Sequence, residues 1–413
     1  MCDGRAGGLR SGGARPVRSI VWRGLGALAL IAVFVTALWG TIQNLPEGVH
    51  PLSGDERDFV EIGTELLPVY GRCLMLDPSA WTDPVWGEKF NNYGSPNPRI
   101  GVFILGAAAL VIDRTLGPES RAYSLRVFMA LVSACTAVVV VWIASQSASP
   151  LAGGYALLLM MLHPIIRMSR VLVVPETPML LFALLALAFL VAGLGRGNAV
   201  VRPTLLVLAG LLAGVAVGTK LYGVALLPAF LVLCLLRGRK LGRRGWAFVG
   251  LGLLLGVVVF FISNPLLIQS PALCIRAMTI GHLETHGGAF GMYGAGMESV
   301  LLMLRRATAL WGPATLPYHN VNTEPIPGFS WVWSLLLLLG VTSAIIHRRV
   351  LPLMWLLGCV VVVGWVVSRL PMGWFAAKTC MLPSFAVVMA CACFDPLFVA
   401  LAVFRRRKVQ GEA

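Results

Sequence analysis

Long apolar runs separated by short polar segments fill most of the chain. An α-helix needs about 20 apolar residues to cross the hydrocarbon of a bilayer. Backbone groups in lipid must bond within their own segment, so the runs predict membrane-spanning helices. Ten are drawn, over 24–42, 123–144, 151–166, 178–194, 204–218, 221–236, 246–263, 329–346, 351–367 and 379–403. No β-barrel alternation is visible. A further run, 100–112, is too short for a straight crossing and predicts an interfacial or re-entrant helix.

Charge decides how the spans are threaded. The basic segments are the N-terminus, Arg196 with Arg202, the loop 237–244 (RGRKLGRR), Arg348 with Arg349, and the tail 405–408 (RRRK). If 100–112 does not cross, all of them fall on one side; if it crosses, RGRKLGRR and RRRK land opposite the N-terminus. Lys and Arg in short loops mark the cytoplasmic side, so the ten-span threading is preferred, with both termini cytoplasmic. The acids take the other face. Asp55, Glu56, Asp58, Glu61, Glu65, Asp77, Asp83, Glu88, Asp113 and Glu119 all lie in the outer loop 43–121. The organisation expected is a basic cytoplasmic N-terminus (1–23), a transmembrane module (24–263) that includes this loop, a second outer loop (264–328), C-terminal transmembrane helices (329–403) and a basic cytoplasmic tail (404–413).

Composition agrees. The chain is 58% hydrophobic and 12% charged, where a soluble protein carries about twice that charge. The net charge of +15 would suggest nucleic acid in a soluble protein. Here the basic residues sit in loops too short to make a binding domain, which excludes that class. The nine Cys form no CxxC pair. Cys135, Cys234, Cys359, Cys391 and Cys393 lie in apolar runs as small core residues. Cys73 and Cys274 fall in outer loops, where pairing is left open. The first apolar run lacks a small-residue cleavage site, so a retained span is expected.

Five places carry candidate chemistry. Ser53-Gly54-Asp55-Glu56-Arg57-Asp58 opens the first outer loop. A carboxylate there can deprotonate an acceptor hydroxyl, or it can cap a helix over 58–67. Ser169-Arg170 and Glu176 with Pro178 join the third and fourth spans. An acid lodged between two apolar runs is expensive, yet Glu176 also suits a helix start. Gly218-Thr219-Lys220 is a tight outer turn, and Arg369 and Lys378 bracket 371–374; these cations either snorkel to headgroups or hold a lipid phosphate. His282 and His286 share a helix face and suit a metal. The glycine-rich stretch after them suits a loop instead. No P-loop and no dinucleotide fingerprint is present.

Taken in order and sidedness, these motifs resemble the glycosyltransferase C superfamily, in the branch of protein O-mannosyltransferases and the lipid A aminoarabinose transferase. Asp55-Glu56 follows the first span as the acid pair of that family does. Ser95-Pro96-Asn97-Pro98-Arg99 resembles its Pro-rich stretch before a juxtamembrane helix. Pro164, Ser169-Arg170, Glu176 with Pro178, then 214–220 ending in Thr219-Lys220, continue the pattern, and Lys378 before Leu382-Pro383 closes it. Two positions depart. Where the family usually has Lys at the start of the Pro-rich stretch this chain has Ser95, with Lys89 nearest, and where it usually has Asp this chain has Glu176.

The resemblance implies an all-α polytopic membrane protein of GT-C type with outer juxtamembrane helices. It implies a multi-pass protein of the plasma or inner membrane that moves a sugar, with inversion, from a polyprenyl-phosphate carrier to a hydroxyl on the non-cytoplasmic face. The acceptor class stays open among glycan, lipid and protein. Asp55 is expected as general base, with Glu56 and Glu176 positioning sugar or acceptor. Arg170, Lys220 and Lys378 are expected on the donor phosphate, and Lys89, Arg99, His282 and Arg369 as further contacts. No cofactor is implied with certainty, and a divalent metal stays open. Two readings compete: a lipid or solute transporter or flippase, which usually carries internal repeats and mid-membrane ionisable sites, and an envelope scaffold without chemistry.

Overall fold

The computed structural model describes residues 15–43, 45, 51–52, 54–75, 77–86, 99–147, 150–162, 170, 172–195, 201–236, 238–276, 330–348 and 350–369. Among these residues all regular structure is helical. The apolar runs become α1 (Arg15–Ile42), α5 (Arg121–Ser147), α6 (Pro150–Leu162), α7 (Glu176–Leu194), α8 (Pro203–Thr219), α9 (Leu227–Leu236), α10 (Gly238–Ile262), α13 (Ser330–Ile346) and α14 (Val350–Arg369). The segments between them carry α2 (Gly54–Leu74), α3 (Pro78–Trp81), the apolar α4 (Ile100–Leu116), α11 (Pro265–Gln269) and α12 (Pro271–Arg276). The span expected over 379–403 lies outside the described residues.

Three described helices are long and apolar enough to cross a bilayer, within Pro118–Gln146, Glu176–Leu194 and Leu241–Ile262, and five shorter apolar helices accompany them. Several of these helices turn apolar faces outward. Leu28, Ile31, Val35 and Trp39 on α1 and Leu251, Leu254, Val257, Val258 and Phe261 on α10 are exposed. Such faces are stable against lipid and costly against water, which makes this an integral membrane protein.

Two details depart from the sequence expectation. The run 221–236 does not start as α-helix; Leu221–Leu226 is 3-10, and α9 follows. A Cβ on Gly223 would sit 2.7 Å from the backbone carbon of Ala216, so this segment leaves Lys220 folded tightly against α8. The helix expected over 58–67 extends through a full 21 residues of α2, with Pro68 inside it.

The core is built by close backbone approach. Gly210 and Gly214 on α8 face Gly252 and Gly256 on α10, and a Cβ on Gly214 would lie 2.2 Å from Gly256 Cα. Small residues let membrane helices approach this closely. The same device seats α4 on α2, where Gly63 and Gly106 meet backbone to backbone.

Helices α2, α3 and α4 form a second packed unit. Tyr70 stacks on Phe103 with centroids 4.3 Å apart, and the fully buried Trp86 donates its indole N–H to Ala80 O at 2.9 Å. Asp77 caps α3 by accepting from Ser79 N (2.9 Å) and Ser79 Oγ (2.7 Å). Those bonds, the Ser79 hydroxyl first, hold its carboxyl below the usual carboxylate range. Cys73 packs in this unit and Cys274 against Leu266 and Leu267; both are free thiols, so the pairing left open by the sequence is not formed.

Candidate functional site

Five elements meet at one end of the bundle: the start of α2, the N-terminal part of α5, the segment 172–175, the start of α7 and the end of α8. Their junction holds most of the buried charge among the described residues. Glu56, Arg170, Glu176 and Lys220 are each under 10% exposed.

Glu56 is the most enclosed, at 1% exposure. Arg126, near the start of α5, donates to both its oxygens, Nη1 to Oε1 at 2.9 Å and Nη2 to Oε2 at 3.1 Å. The Val173 backbone N–H adds a bond to Oε1 at 2.9 Å. A forked guanidinium–carboxylate pair is the strongest arrangement these groups make. It fastens three elements at once: the first turn of α2, α5, and the segment that leads into α7. Asp55 is the neighbouring residue in that first turn of α2; its backbone is described and its side chain is not.

Glu176 opens α7, directly after Pro175. Its Oε1 accepts from Lys220 Nζ, at the end of α8. Its Oε2 is buried with no hydrogen-bond partner among the described residues. The Lys220 ammonium also lies over the Phe59 ring, 5.7 Å from its centroid, within cation–π range. Phe59 is one turn beyond Glu56 on α2, so that helix touches both ion pairs.

Arg170 points inward. Its Nη1 lies 3.0 Å from Met161 Sδ, its Nη2 donates to Met160 O, and its own carbonyl accepts from Ser133 Oγ at 3.3 Å. Arg99, at the start of α4, is 5% exposed, and its backbone N–H donates to Asn264 Oδ1 at 3.2 Å. Burial pushes the Arg99 guanidinium down to about 10, with the nearby Cys274 thiolate form opposing the shift, so it stays cationic at neutral pH. The start of α4 is wedged between two site segments: a Cβ on Gly101 would lie 2.6 Å from Pro175 Cβ and 2.9 Å from Thr219 Cγ2.

Two apolar grooves flank α4. One of about 690 Å³ runs between α4 and α5 and includes Ile104, Val111, Tyr123, Val127 and Phe128. Another, about 350 Å³, lies where α2, α8 and α10 meet α4, and reaches Ile100 and Ser263 beside Arg99.

The sequence-expected residues therefore divide. Glu56, Glu176, Lys220 and Arg99 come together at the ends of α2, α4, α7 and α8, while the Arg170 side chain reaches Met160 and Met161 on α6. Asp55 and Arg369 are described in backbone only, and Lys89, His282 and Lys378 lie outside the described residues. No group of three metal-ligating side chains occurs among the described residues; the His282–His286 candidate is outside them. Three contributors were not singled out from sequence: Arg126, Phe59 and Asn264. A signal existed for Arg126, an arginine at the border of an apolar run, because such a charge needs a buried partner. Phe59 and Asn264 looked like any aromatic or loop residue.

Comparison with known proteins adds the following. Residues 114–264 match the model of the family described as dolichyl-phosphate-mannose-protein mannosyltransferase. Among solved structures the chain is similar to ArnT from Cupriavidus metallidurans in the apo state, at 16% identity and TM-score 0.52, over 91% of this chain and 60% of that one. It is also similar to ArnT from the same organism bound to undecaprenyl phosphate, at 17% identity and TM-score 0.53, over 90% of this chain and 60% of that one. The chain thus spans about three fifths of the length of these structures. No curated protein sequence matches it. The all-α GT-C-like fold and the resemblance read from the motifs are met by these matches, which at such identity carry the fold.

Proposed function

We propose that this protein is a membrane glycosyltransferase that moves a sugar from a polyprenyl-phosphate carrier to an acceptor hydroxyl on the non-cytoplasmic face, with both termini cytoplasmic. The observation that carries it is the gathering of buried acids and cations at one end of an otherwise apolar bundle, on the segments where the GT-C motifs fall. Burying that many charges is costly and is rarely retained without a function. The mannosyltransferase family match over 114–264 and the shared fold support the same chemistry.

In this reaction the acceptor oxygen attacks the sugar's anomeric carbon as the bond from that carbon to the phosphate oxygen breaks. Asp55 takes the hydroxyl proton as general base. The lipid phosphate leaves with the bonding pair, and being a weak base it needs no strong acid behind it. Cations at the bilayer surface stabilise its charge; Lys220, Arg170 and Lys378 are assigned that role, with Lys89, Arg99, His282 and Arg369 as further donor or acceptor contacts. Attack opposite the leaving group gives inversion. Glu56 contributes by fixing the start of α2, next to Asp55, and Glu176 by orienting the sugar or acceptor. The grooves beside α4 have the apolar lining that a polyprenyl chain requires.

The test is sugar transfer by purified protein in detergent. Asp55→Asn is expected to abolish transfer from a polyprenyl-phosphate donor while membrane insertion and thermal stability stay as in wild type. Near-normal transfer by Asp55→Asn removes the base assignment. A wild-type protein that moves the lipid between leaflets of a vesicle and transfers no sugar is a flippase instead.

A further inference from the structure

Glu176 and Lys220 are joined by a single hydrogen bond, and the Glu176 carboxylate is left half satisfied. One carboxylate oxygen takes the ammonium. The other is buried and has no partner among the described residues. The side chains are only 10% and 11% exposed, so water does little to compensate. An unmatched buried acceptor costs free energy and calls for a reason, and a buried ion pair is a poor way to gain stability alone. Both features make sense if a ligand completes the set.

Resting on the function proposed above, we infer that Glu176 and Lys220 form a composite site for a ligand that carries a phosphate anion beside an O–H or N–H donor, as the head of a polyprenyl-phosphate sugar does, and that the ligand enters by exchange. The phosphate oxygen takes Lys220 from Glu176. The carboxylate, released from its cation, accepts the sugar's O–H or N–H through Oε2. Without ligand the two side chains neutralise each other, so no isolated charge stays buried. Phe59 keeps the ammonium near its place while its anionic partner changes.

The scheme makes a sign prediction that a simple anion pocket does not. Glu176 competes with phosphate for one cation, so removing its charge helps a bare phosphate and harms a sugar-bearing one. The probes are undecaprenyl phosphate and a polyprenyl-phosphate sugar, titrated against full-length protein in detergent. Glu176→Gln is expected to bind undecaprenyl phosphate about tenfold more tightly than wild type, and to bind the sugar-bearing donor no better, with transfer lost. Lys220→Gln is expected to lose about tenfold or more in affinity for both probes. Thermal unfolding of each variant reports whether it is folded. If Glu176→Gln is not, Glu176→Asp, whose shorter arm loosens the pair and keeps the charge, is expected to move undecaprenyl phosphate affinity in the same direction by a smaller factor. Unchanged or weaker binding of undecaprenyl phosphate by the folded acid variant overturns the exchange. A wild-type protein that binds neither probe and transfers nothing overturns the function itself, so the two failures are distinguishable.

Discussion

Two buried carboxylates, at the starts of α2 and α7, are treated in opposite ways. Glu56 has both oxygens occupied, by the Arg126 fork and the Val173 amide. Glu176 has one oxygen on Lys220 and one bare. The first is a finished structural joint, with each oxygen holding at least one hydrogen bond. The second is a joint that a ligand can complete. Burial alone would class them together; what separates them is how far each carboxylate's hydrogen-bonding capacity is used. A saturated acid holds elements in place, and an unsaturated one is available to chemistry.

The sharpest way to break this comparison is at Arg126. Arg126→Met leaves the Glu56 carboxylate buried without its cation. Loss of one partner of a buried pair costs about 3–5 kcal/mol. Thermal and denaturant unfolding in detergent should show a loss of that size. Replacing both partners, Glu56→Leu with Arg126→Met, should recover part of it and not all, because the Val173 N–H then has no acceptor, at about 1–3 kcal/mol. Full recovery would mean that the amide bond is unimportant and that Glu56 is no different in kind from Glu176.

The second test moves the platform that carries Glu56. Gly106 and Gly63 bring α4 and α2 into backbone contact, and a Cβ on Gly106 would stand 2.3 Å from the Gly63 carbonyl carbon. Backbone cannot rotate out of the way as a side chain can, so the helices must separate. Gly106→Ala is expected to destabilise by about 1–3 kcal/mol, the usual cost of overpacking. It should also lower sugar transfer more than stability explains, since α2 carries Asp55, Glu56 and Phe59. Wild-type transfer in a destabilised Gly106→Ala protein would show that the placement of α2 is not critical.

How much of this was visible in the sequence follows from range. The apolar runs gave the helices, because a membrane span is a local property of some 20 residues. The segment 43–121 stood out in the same local way, by its acids. The site was half legible. Glu56, Glu176, Arg170 and Lys220 stood out as charges next to apolar runs, but their partners did not. The Val173 amide lies 117 residues from Glu56, and Lys220 is 44 residues from Glu176. Nothing local encodes such pairings, so sequence could nominate Glu56 and Glu176 equally and could not tell the saturated acid from the bare one. The 3-10 start of the segment after Lys220 was hidden as well, since Leu221–Leu226 has the composition of an ordinary span and is shaped by its packing against α8.

The smallest expected effect sits between the two acids, at Phe59. Its ring lies under Lys220 at 5.7 Å, and it follows Glu56 by one turn of α2. If the ring holds the ammonium, Phe59→Leu should cost more in the presence of Lys220 than in its absence. A double-mutant cycle with Lys220→Met removes the purely apolar loss, which is common to both backgrounds. The coupling expected for a partly desolvated cation over a phenyl ring is about 0.5–1 kcal/mol, read from unfolding in detergent. Phe59→Tyr, which keeps the aromatic face, should retain most of it. A cycle that closes to zero would show that the ring does not help to hold Lys220. The Phe59 ring would then be no anchor for the ammonium during exchange, and the contrast between a fixed acid and a released one would rest on Glu176 without help from α2.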